Sequence, residues 1–387
     1  MIFSRRVAGD PPPNAISRLV AELKATGTPF VDLTESNPTA AGISYAAGLL
    51  APLGDDRALR YEPHPFGLWP ARQAVAADQR RRGAQVDPNA VILTSSTSEA
   101  YTWLFKLLCD PGDCVLVPRP SYPLFEHLTG LEGVAAANYD LEYHGRWEID
   151  FASVERAPAR TRALIVVSPN NPTGSYLSRT EFLRLSQLCE EREWALIADE
   201  VFVDYPLDPP DIATDLAASA PACLTFTLGG FSKSLGLPQL KLGWIIAGGP
   251  ERTCHGALAR LELIADSFLS VGTPVQVGAP ALLESGGARA AIAQRIVANY
   301  ETLRRVARSF PSCELLRAEG GWSAVVRVPA TAAEEEIVLR LLDRHRILVH
   351  PGYFFDFPHE AYIVVSLLAQ SDTFEGAIAR TLEAVSS

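Results

Sequence analysis

Runs of consecutive apolar residues alternate with segments of helical periodicity between about residue 70 and residue 285. Runs that are apolar throughout, rather than at every second position, are typical of strands that helices cover on both faces. The pattern therefore predicts an α/β fold with a mainly parallel central sheet and helices on both faces. The predicted strands are AVILT (90–94), CVLVP (114–118), ALIVVS (163–168), WALIADE (194–200), CLTFTL (223–228) and LGWIIAG (242–248). The predicted helices between them include 98–108, 124–131 and 179–193.

The pattern changes after residue 285. A long helical stretch at 288–310 leads into three short strand-like runs, SAVVRV (323–328), ILVHP (347–351) and YIVVSL (362–367). Near the start of the chain, a helix is predicted over 14–26 and a strand over 30–33. We therefore predict a large domain over 36–285. A smaller α+β domain is predicted over 286–387, with the segment 1–35 joining it or lying over the cleft.

Composition narrows the class of protein. The chain has 34 basic and 45 acidic residues, a net charge of −11 that argues against nucleic acid or anionic membranes as partners. No apolar segment approaches the roughly 20 residues of a membrane span, and the N-terminus lacks the apolar stretch of a signal peptide. The six cysteines form no C-x-x-C pair, which favours buried reduced thiols. The sequence thus predicts a cytoplasmic protein.

Lysine is scarce among the 34 basic residues, since only Lys24, Lys106, Lys233 and Lys241 are lysines. Lys233 lies in a Gly/Ser-rich segment, GGFSKSLG, which predicts a small turn between two strands. Lysine, unlike arginine, can lose its proton and attack a carbonyl, and apolar surroundings favour the free amine. Lys233 is therefore the candidate for covalent chemistry, against the ordinary alternative of a solvated charge in a loop.

Three further segments follow predicted strands, at the edge where open α/β sheets bind ligands. Asp199 ends WALIAD, where a buried carboxylate needs a cation or several donors; the alternative is a helix cap or a structural ion pair. Asn171, in SPNNPTG, offers an uncharged amide on a motif that alone indicates only a rigid turn. Ser96, Thr97 and Ser98 open a helix whose backbone N–H groups suit a phosphate, although an ordinary capping box explains them equally well.

These four segments together fit one ligand, pyridoxal 5′-phosphate (PLP). PLP has a carbonyl for Lys233, a ring nitrogen for Asp199, a phenolic oxygen for Asn171 and a phosphate for the start of the helix. A carboxylate that keeps the ring nitrogen protonated makes the ring an electron sink. PLP is therefore the predicted cofactor.

In the order and spacing of these motifs, nearly the whole chain resembles the class I/II aminotransferases, the PLP enzymes of fold type I. The resemblance implies that Lys233 is the Schiff-base lysine and also moves the proton of the substrate, that Asp199 is the partner of the ring nitrogen, and that Asn171 is the ligand of the ring oxygen. It implies that Tyr122 stacks on the ring. It further implies a homodimer with shared active sites, in which Tyr61 reaches the phosphate of the neighbouring subunit. Phosphate contacts are implied for Ser96, Thr97 and Ser98.

The chain departs from the family pattern at several positions. Phe202 stands where a tyrosine usually donates to the ring oxygen, so one hydrogen bond is expected to be missing. Lys241 replaces an arginine that usually holds the phosphate, and it supplies a point charge in place of a fork of donors. Gly230 replaces a hydroxyl side chain, which leaves Ser232 as a phosphate contact. Val364 replaces the arginine that usually binds the substrate carboxylate.

The substrate is the open part of the prediction. Arg327 is a weak alternative cation for a carboxylate, since facing solvent from its strand explains it as well. Trp322 and the run HPGYFFDFP (350–358) predict either an aromatic wall of the pocket or the core of the small domain. The predicted function is a PLP-dependent aminotransferase that acts on an amino acid or related amine with a keto-acid acceptor. The alternatives are a PLP-dependent lyase, decarboxylase or cyclising synthase of the same fold, and a non-catalytic PLP-binding protein.

Overall fold

A large central sheet covered by helices organises the computed structural model, which describes residues 2–7, 9, 12–208, 221–359 and 361–386. The strands of the described chain are β1 Val31–Asp32, β2 Val91–Thr94, β3 Cys114–Arg119, β4 Ala135–Tyr143, β5 Trp147–Ile149, β6 Thr161–Val167, β7 Ala195–Asp199, β8 Thr225–Gly230, β9 Gly243–Gly248, β10 Glu314–Leu315, β11 Ser323–Arg327, β12 Ile347–Leu348, β13 His350–Pro351 and β14 Tyr362–Ser366. The α-helices are α1 Ala15–Ala25, α2 Trp69–Arg81, α3 Thr97–Leu108, α4 Phe125–Glu132, α5 Phe151–Glu155, α6 Arg179–Glu191, α7 Phe231–Ser234, α8 Glu251–Phe268, α9 Thr273–Ser285, α10 Arg289–Ala307, α11 Glu334–His345 and α12 Ser371–Ser386.

The central sheet has eight strands in the order β2-β9-β8-β7-β6-β3-β4-β5. Neighbouring strands from β8 to β4 pair in parallel. β9 runs antiparallel to both of its neighbours, and β5 runs antiparallel to β4. The carboxyl ends of β6, β7 and β8 therefore meet at one edge of the sheet, which is where ligands bind in folds of this class.

The strands that were predicted from apolar runs are buried on both faces, as expected. Every residue of β2, β7 and β8 is buried, because helices cover both sides of the sheet. The apolar-run criterion missed β4 and β5. β4 mixes exposed and buried positions along its nine residues, so its sequence, AAANYDLEY, contains no run of large apolar residues.

The C-terminal part of the chain builds a four-stranded sheet in the order β10-β11-β14-β13, and β1 pairs in parallel with β12. The predicted single strand over 347–351 was wrong, because the chain divides there between two sheets. Ile347 and Leu348 pair with β1, whereas His350 and Pro351 pair with β14. Leu23 and Leu33 of the N-terminal segment pack in one hydrophobic cluster with the core of this C-terminal part. On this basis we propose the division predicted from the sequence, a large domain over 36–285 and a smaller domain formed by 286–387 and the segment 1–35.

The predicted turn around Lys233 is a single turn of helix. α7 begins directly after β8, and the Phe231 N–H donates to the carbonyl of Leu242. The hydroxyl of Tyr205 donates to the carbonyl of Lys233 over 2.6 Å. The backbone that carries Lys233 is therefore fixed from two sides.

Two further findings concern the whole of the described chain. All six cysteines are free thiols. No helix of the described residues is both long enough and apolar enough to cross a membrane.

Candidate functional site

A cavity of about 310 Å³ lies at the carboxyl edge of the central sheet. It is bounded by the ends of β6, β7 and β8, by the start of α3, and by the N-terminal and C-terminal segments of the chain. Five of the predicted site residues line it, namely Thr97, Tyr122, Asn171, Asp199 and Lys233. Phe202, Val364 and Trp322, which the sequence analysis also singled out, line it too.

The amine of Lys233 lies among aromatic rings. Its Nζ atom is 4.9 Å from the ring centroid of Trp322 and 5.5 Å from that of Phe202. Burial lowers the pKa of Lys233 to about 8, although the carboxylates of Asp199 and Glu35 oppose the shift. The uncharged, nucleophilic amine is therefore far more populated near neutral pH than it is for a lysine in water.

Asp199 ends β7 and presents a buried carboxylate to the same cavity. The hydroxyl of Tyr101 donates to its Oδ2 over 2.9 Å, and the Val201 N–H donates to its Oδ1 over 3.1 Å. Burial nevertheless raises the pKa of Asp199 to about 6, because these two donors and the charge of Lys233 offset the desolvation only in part. A carboxylate in this state favours a cationic partner, such as a protonated ring nitrogen.

Tyr101 was missed by the sequence analysis. It lies on α3, one helical turn after Thr97, and it also lines the cavity. A spacing of four residues places two side chains on one face of a helix, so the segment that was selected for phosphate binding also pointed to this tyrosine.

Asn171 follows β6 and is oriented by a neighbour from β11. The hydroxyl of Ser323 donates to Asn171 Oδ1 over 3.3 Å. This contact leaves the amide N–H groups of Asn171 to donate to an acceptor in the cavity. Tyr122 stands at the rim of the cavity with 47% of its surface exposed, so that its ring is available for stacking.

The start of α3 combines a helix cap with a surface for an anion. Ser96 Oγ accepts from the Glu99 N–H over 3.2 Å, and this is the capping contact that the sequence offered as an alternative. Thr97, the first residue of the helix, lines the cavity. Gly243 packs closely behind it, since a Cβ atom there would lie 3.2 Å from the Thr97 nitrogen and 3.0 Å from the carbonyl carbon of Ser96. The backbone N–H groups of this turn are thus held in place for a phosphate.

The other five predicted residues do not border this cavity. Tyr61 is 72% exposed, Lys241 is exposed with a φ of 51°, and Ser98 and Ser232 are half-buried. Ser96 is the fifth, and its hydroxyl is engaged in the cap. Their contacts with a cofactor remain predictions.

On the substrate side of the cavity, Phe202 has no hydroxyl group to donate to the ring oxygen of a cofactor. Its ring packs edge-on against that of Trp322, with the ring centroids 5.3 Å apart. Arg327 does not line the cavity; it pairs with Glu314 over 3.0 Å and is half exposed. Trp322 and Phe355 line the cavity, and each is only 3% exposed. These aromatic residues therefore form a wall of the pocket and are also buried in the core. His350 and Ser36 also line the cavity, although no sequence pattern singles out Ser36, and His350 lies within an aromatic run.

The described residues fit PLP. The amine of Lys233 is poised as a nucleophile, the carboxylate of Asp199 lacks a full counter-charge, and the amide of Asn171 has free N–H donors. The start of α3 faces the same cavity. A carbonyl, a ring nitrogen, a phenolic oxygen and a phosphate would each meet the group that suits it.

Comparison with known proteins agrees with this site. A sequence model of the family Aminotransferase class I and II matches residues 46–375. Glutamate-pyruvate aminotransferase AlaA of Haemophilus influenzae is 26% identical over 326 residues, which are 81% of this chain and 80% of that protein. Alanine aminotransferase of Mycobacterium bovis is 28% identical over 376 residues, 93% of this chain and 86% of that protein. The solved alanine aminotransferase of Pyrococcus furiosus superposes with a TM-score of 0.87 at 22% identity, over 98% of both chains.

The chain therefore belongs to the class I and II aminotransferases. It is a PLP-dependent aminotransferase with the fold of its family, and the reactions of this family transfer an amino group between an amino donor and a keto acid. The predictions of family, fold class, cofactor and enzyme class are confirmed.

Proposed function

We propose that this aminotransferase binds PLP covalently through Nζ of Lys233, and that the same amine moves the proton of the amino donor once the donor has taken its place. The observation that carries this proposal is the placing of Lys233 and Asp199 in one buried cavity, with the pKa of the amine lowered to about 8 and that of the carboxylate raised to about 6. Pairs of groups whose environments shift their pKa values in this way are typical of active sites.

The reaction follows from what these residues do. Bound PLP supplies an electron sink for the carbon that loses its proton. Nζ of Lys233 takes the proton from the α-carbon of the amino donor, and a pKa near the working pH suits a group that must both accept and return it. Asp199 holds the proton of the ring nitrogen, while Tyr101 and the Val201 N–H hold the carboxylate itself.

The other cavity residues orient the cofactor. Asn171, held by Ser323, donates to the ring oxygen. Tyr122 stacks on the ring from the rim of the cavity. The turn at Thr97 binds the phosphate through backbone N–H groups, and Ser96, Ser98, Ser232 and Lys241 complete its surroundings. Trp322 and Phe355 keep water from the reacting carbon, because they close the substrate side with apolar surface.

We further propose a cytoplasmic homodimer with shared active sites. Tyr61 is 72% exposed and shares a surface hollow with Leu269, and Leu59 and Phe268 are further large apolar residues exposed at 87% and 49%. Exposed apolar groups of this size are typical of a surface that a second copy covers. In this arrangement Tyr61 reaches the phosphate in the other subunit, which explains why it lies outside the cavity of its own chain.

The substrates to test first are alanine and glutamate, with pyruvate and 2-oxoglutarate as acceptors, because the named relatives are alanine and glutamate-pyruvate aminotransferases. Purified holoenzyme is mixed with one amino donor at a time, without an acceptor, and the visible absorbance of the cofactor is followed. A transaminase loses this absorbance once and regains it when a keto acid is added.

A lyase would behave differently in the same experiment. Given a donor with a leaving group on its β-carbon, such as serine, it would expel that group and release ammonia and a keto acid continuously, and its absorbance would return without an acceptor. Alanine and glutamate carry no such group and would not react in this way. Continuous release from serine would replace transamination by elimination as the reaction of this chain. Lys233→Ala serves as the control, because it leaves the cavity wall intact but removes the amine.

A further inference from the structure

The cavity wall carries few charges. Among the described residues that line it, only Lys233 and Asp199 are charged at neutral pH, and no arginine is present. In the proposed function both of these groups face the cofactor. The rest of the wall is neutral, with Val364, Trp322 and Phe355 as its apolar part on the substrate side. A keto acid nevertheless brings a carboxylate into this cavity, and an unpaired buried carboxylate is strongly disfavoured.

The hydroxyl groups of the wall are mostly engaged within the protein. Each of four donates its proton to an oxygen of a neighbouring residue, over 2.5 to 3.3 Å. These pairs are Thr34 with Asp32, Ser121 with Asn170, Ser323 with Asn171, and Ser366 with the carbonyl of Glu35. These hydroxyls have no second proton to donate to a substrate carboxylate.

The side chain of His350, in contrast, is available to bind a ligand. Within the described residues its ring nitrogens make no hydrogen bond, and its side chain lines the cavity. It stands directly opposite Val364 in the antiparallel pair β13–β14, which places both side chains on the same face of the sheet. The ring is stacked on Phe354, with centroids 4.9 Å apart and planes 6° apart, and Phe355 packs edge-on at 5.5 Å. The imidazole is thus held rigidly with its nitrogens available to a ligand.

Without a ligand this imidazole is neutral. Burial lowers the pKa of His350 to about 4, and the nearby carboxylate of Asp32 opposes the shift. The elements that contact β13 are α11, β14 and the short turn at 352–355. Their titratable side chains are Glu334, Glu335, Glu336, Arg340, Asp343, Arg344, His345, Tyr353 and Tyr362. Lys233 and Asp199 line the same cavity as His350. Glu334 is turned to the backbone, where it accepts from the N–H groups of Tyr353 and Tyr362.

We propose that His350 binds the carboxylate of the amino-acid and keto-acid substrates, and that it takes up a proton from solvent as the carboxylate enters. This inference rests on the proposed function and names the specificity-determining residue of the same site. The proton returns to solvent when the carboxylate leaves. The negative charge of Asp32 stabilises the protonated ring.

Binding of the carboxylate and uptake of a proton by His350 are thermodynamically linked. A carboxylate beside the imidazole stabilises its protonated form, so the pKa of His350 rises in the complex. The complex then holds one more proton than the free enzyme at any pH between the two pKa values. Affinity for a carboxylate ligand therefore increases as the pH falls, by up to about tenfold per pH unit, whereas affinity for an uncharged ligand does not.

The test uses the holoenzyme and two matched probes, 3-phenylpropanoate and its amide. Binding is measured by calorimetry between pH 6 and 8 in buffers of different ionisation enthalpy, which reports the number of protons taken up. The visible absorbance of the cofactor reports proton exchange at Lys233 separately, and this contribution is subtracted from the proton uptake measured by calorimetry. His350→Gln keeps a neutral donor of similar size but cannot take up the proton. His144→Gln, at an exposed histidine, is the matched control.

The expected result is tighter binding of the carboxylate at lower pH, with up to about one proton taken up per site. The amide should show no such uptake. His350→Gln should lose both the uptake and the pH slope, whereas His144→Gln should keep them. Equal proton uptake in wild type and His350→Gln would overturn the inference, as would tighter binding of the amide than of the carboxylate at every pH.

Failure of the proposed function is distinguishable from failure of this inference. If the proposed function is wrong, no cofactor adduct forms on Lys233 and amino donors cause no absorbance change. If only the inference about His350 is wrong, the adduct and the absorbance changes remain, and wild type and His350→Gln behave alike.

Discussion

At the scale of single residues, burial sets the chemistry of this site. The same desolvation that favours the free amine of Lys233 also favours the protonated form of Asp199, because in each case burial disfavours the charge. Ionisation of Asp199 therefore destabilises the folded protein when no cofactor is bound. In the proposed function, the protonated ring nitrogen of PLP would relieve this penalty as a cation beside the carboxylate.

Asp199→Asn tests this relation. The pKa of Asp199 in the folded protein is raised to about 6, above its unfolded value, so the stabilisation from its protonation is full below about pH 4 and is lost as the pH rises through 6. At pH 8, cofactor-free Asp199→Asn should be more stable than wild type by on the order of 2 kcal/mol. Urea unfolding of both proteins at pH 4 and pH 8 measures the difference.

The same variant should bind PLP more weakly, since an amide does not supply the negative charge for the ring nitrogen. Titration of the cofactor-free protein with PLP, followed by absorbance, measures this affinity. A variant that is less stable than wild type at pH 8, or that binds PLP as tightly as wild type, would contradict the assignment of Asp199.

At the scale of secondary-structure elements, the site depends on how closely β9 approaches the start of α3. Gly243 faces Thr94 across the β2–β9 pair, and a Cβ atom there would lie 3.0 Å from both Thr94 Oγ1 and the Ser96 carbonyl carbon. The backbone of the turn would have to move, and with it the N–H groups that are proposed to bind the phosphate.

Gly243→Ala should therefore weaken PLP binding by roughly tenfold or more and reduce the free energy of unfolding by about 1–3 kcal/mol. Gly248→Ala is the matched control on the same strand, because a Cβ atom at Gly248 meets nothing within 4 Å. PLP titration and urea unfolding of both variants check the prediction. Equal losses in the two variants would show that the contact with α3 is unimportant.

The elements also show what sequence patterns can predict. Buried central strands such as β7 were predicted to within one or two residues, because a strand covered on both faces has a continuous apolar sequence. β4 and β5 were missed, since half-exposed strands lack that signal. The division of 347–351 between two sheets depends on tertiary pairing, which the local sequence does not encode.

The candidate site was predictable where a residue's chemistry is unusual for its position. Lys233, Asp199 and Asn171 stood out because polar groups followed apolar strands, and the structure brings them to one cavity. Tyr101 and His350 did not stand out, because each lies within an apolar stretch that also fits a protein core. The roles proposed for them depend on the packing of α3 and β13 around the same cavity.

At the scale of the whole molecule, the proposed dimer assigns Tyr61 and Lys233 of one active site to different subunits. Tyr61 lies on the exposed surface, whereas Lys233 lines the cavity. Two variants with defects in different subunits should then complement each other, since a mixed dimer rebuilds one intact site.

Co-expression of Lys233→Ala with Tyr61→Ala tests this arrangement. Random pairing makes half of the dimers mixed, and each mixed dimer has one wild-type site, so activity should recover to about one quarter of wild type. Each variant alone should be far below this level. Recovery no greater than the sum of the two variants would contradict the shared site.

The whole assignment depends on Lys233 holding the cofactor. Borohydride reduction of the holoenzyme, followed by proteolysis and mass spectrometry, identifies the lysine to which the cofactor is attached. Reduction should remove the yellow colour and leave a pyridoxyl phosphate mass on the peptide that contains Lys233, with no such adduct in Lys233→Ala. An adduct on Lys241 or another lysine, or a Lys233→Ala protein that keeps both its visible absorbance and its activity, would contradict it.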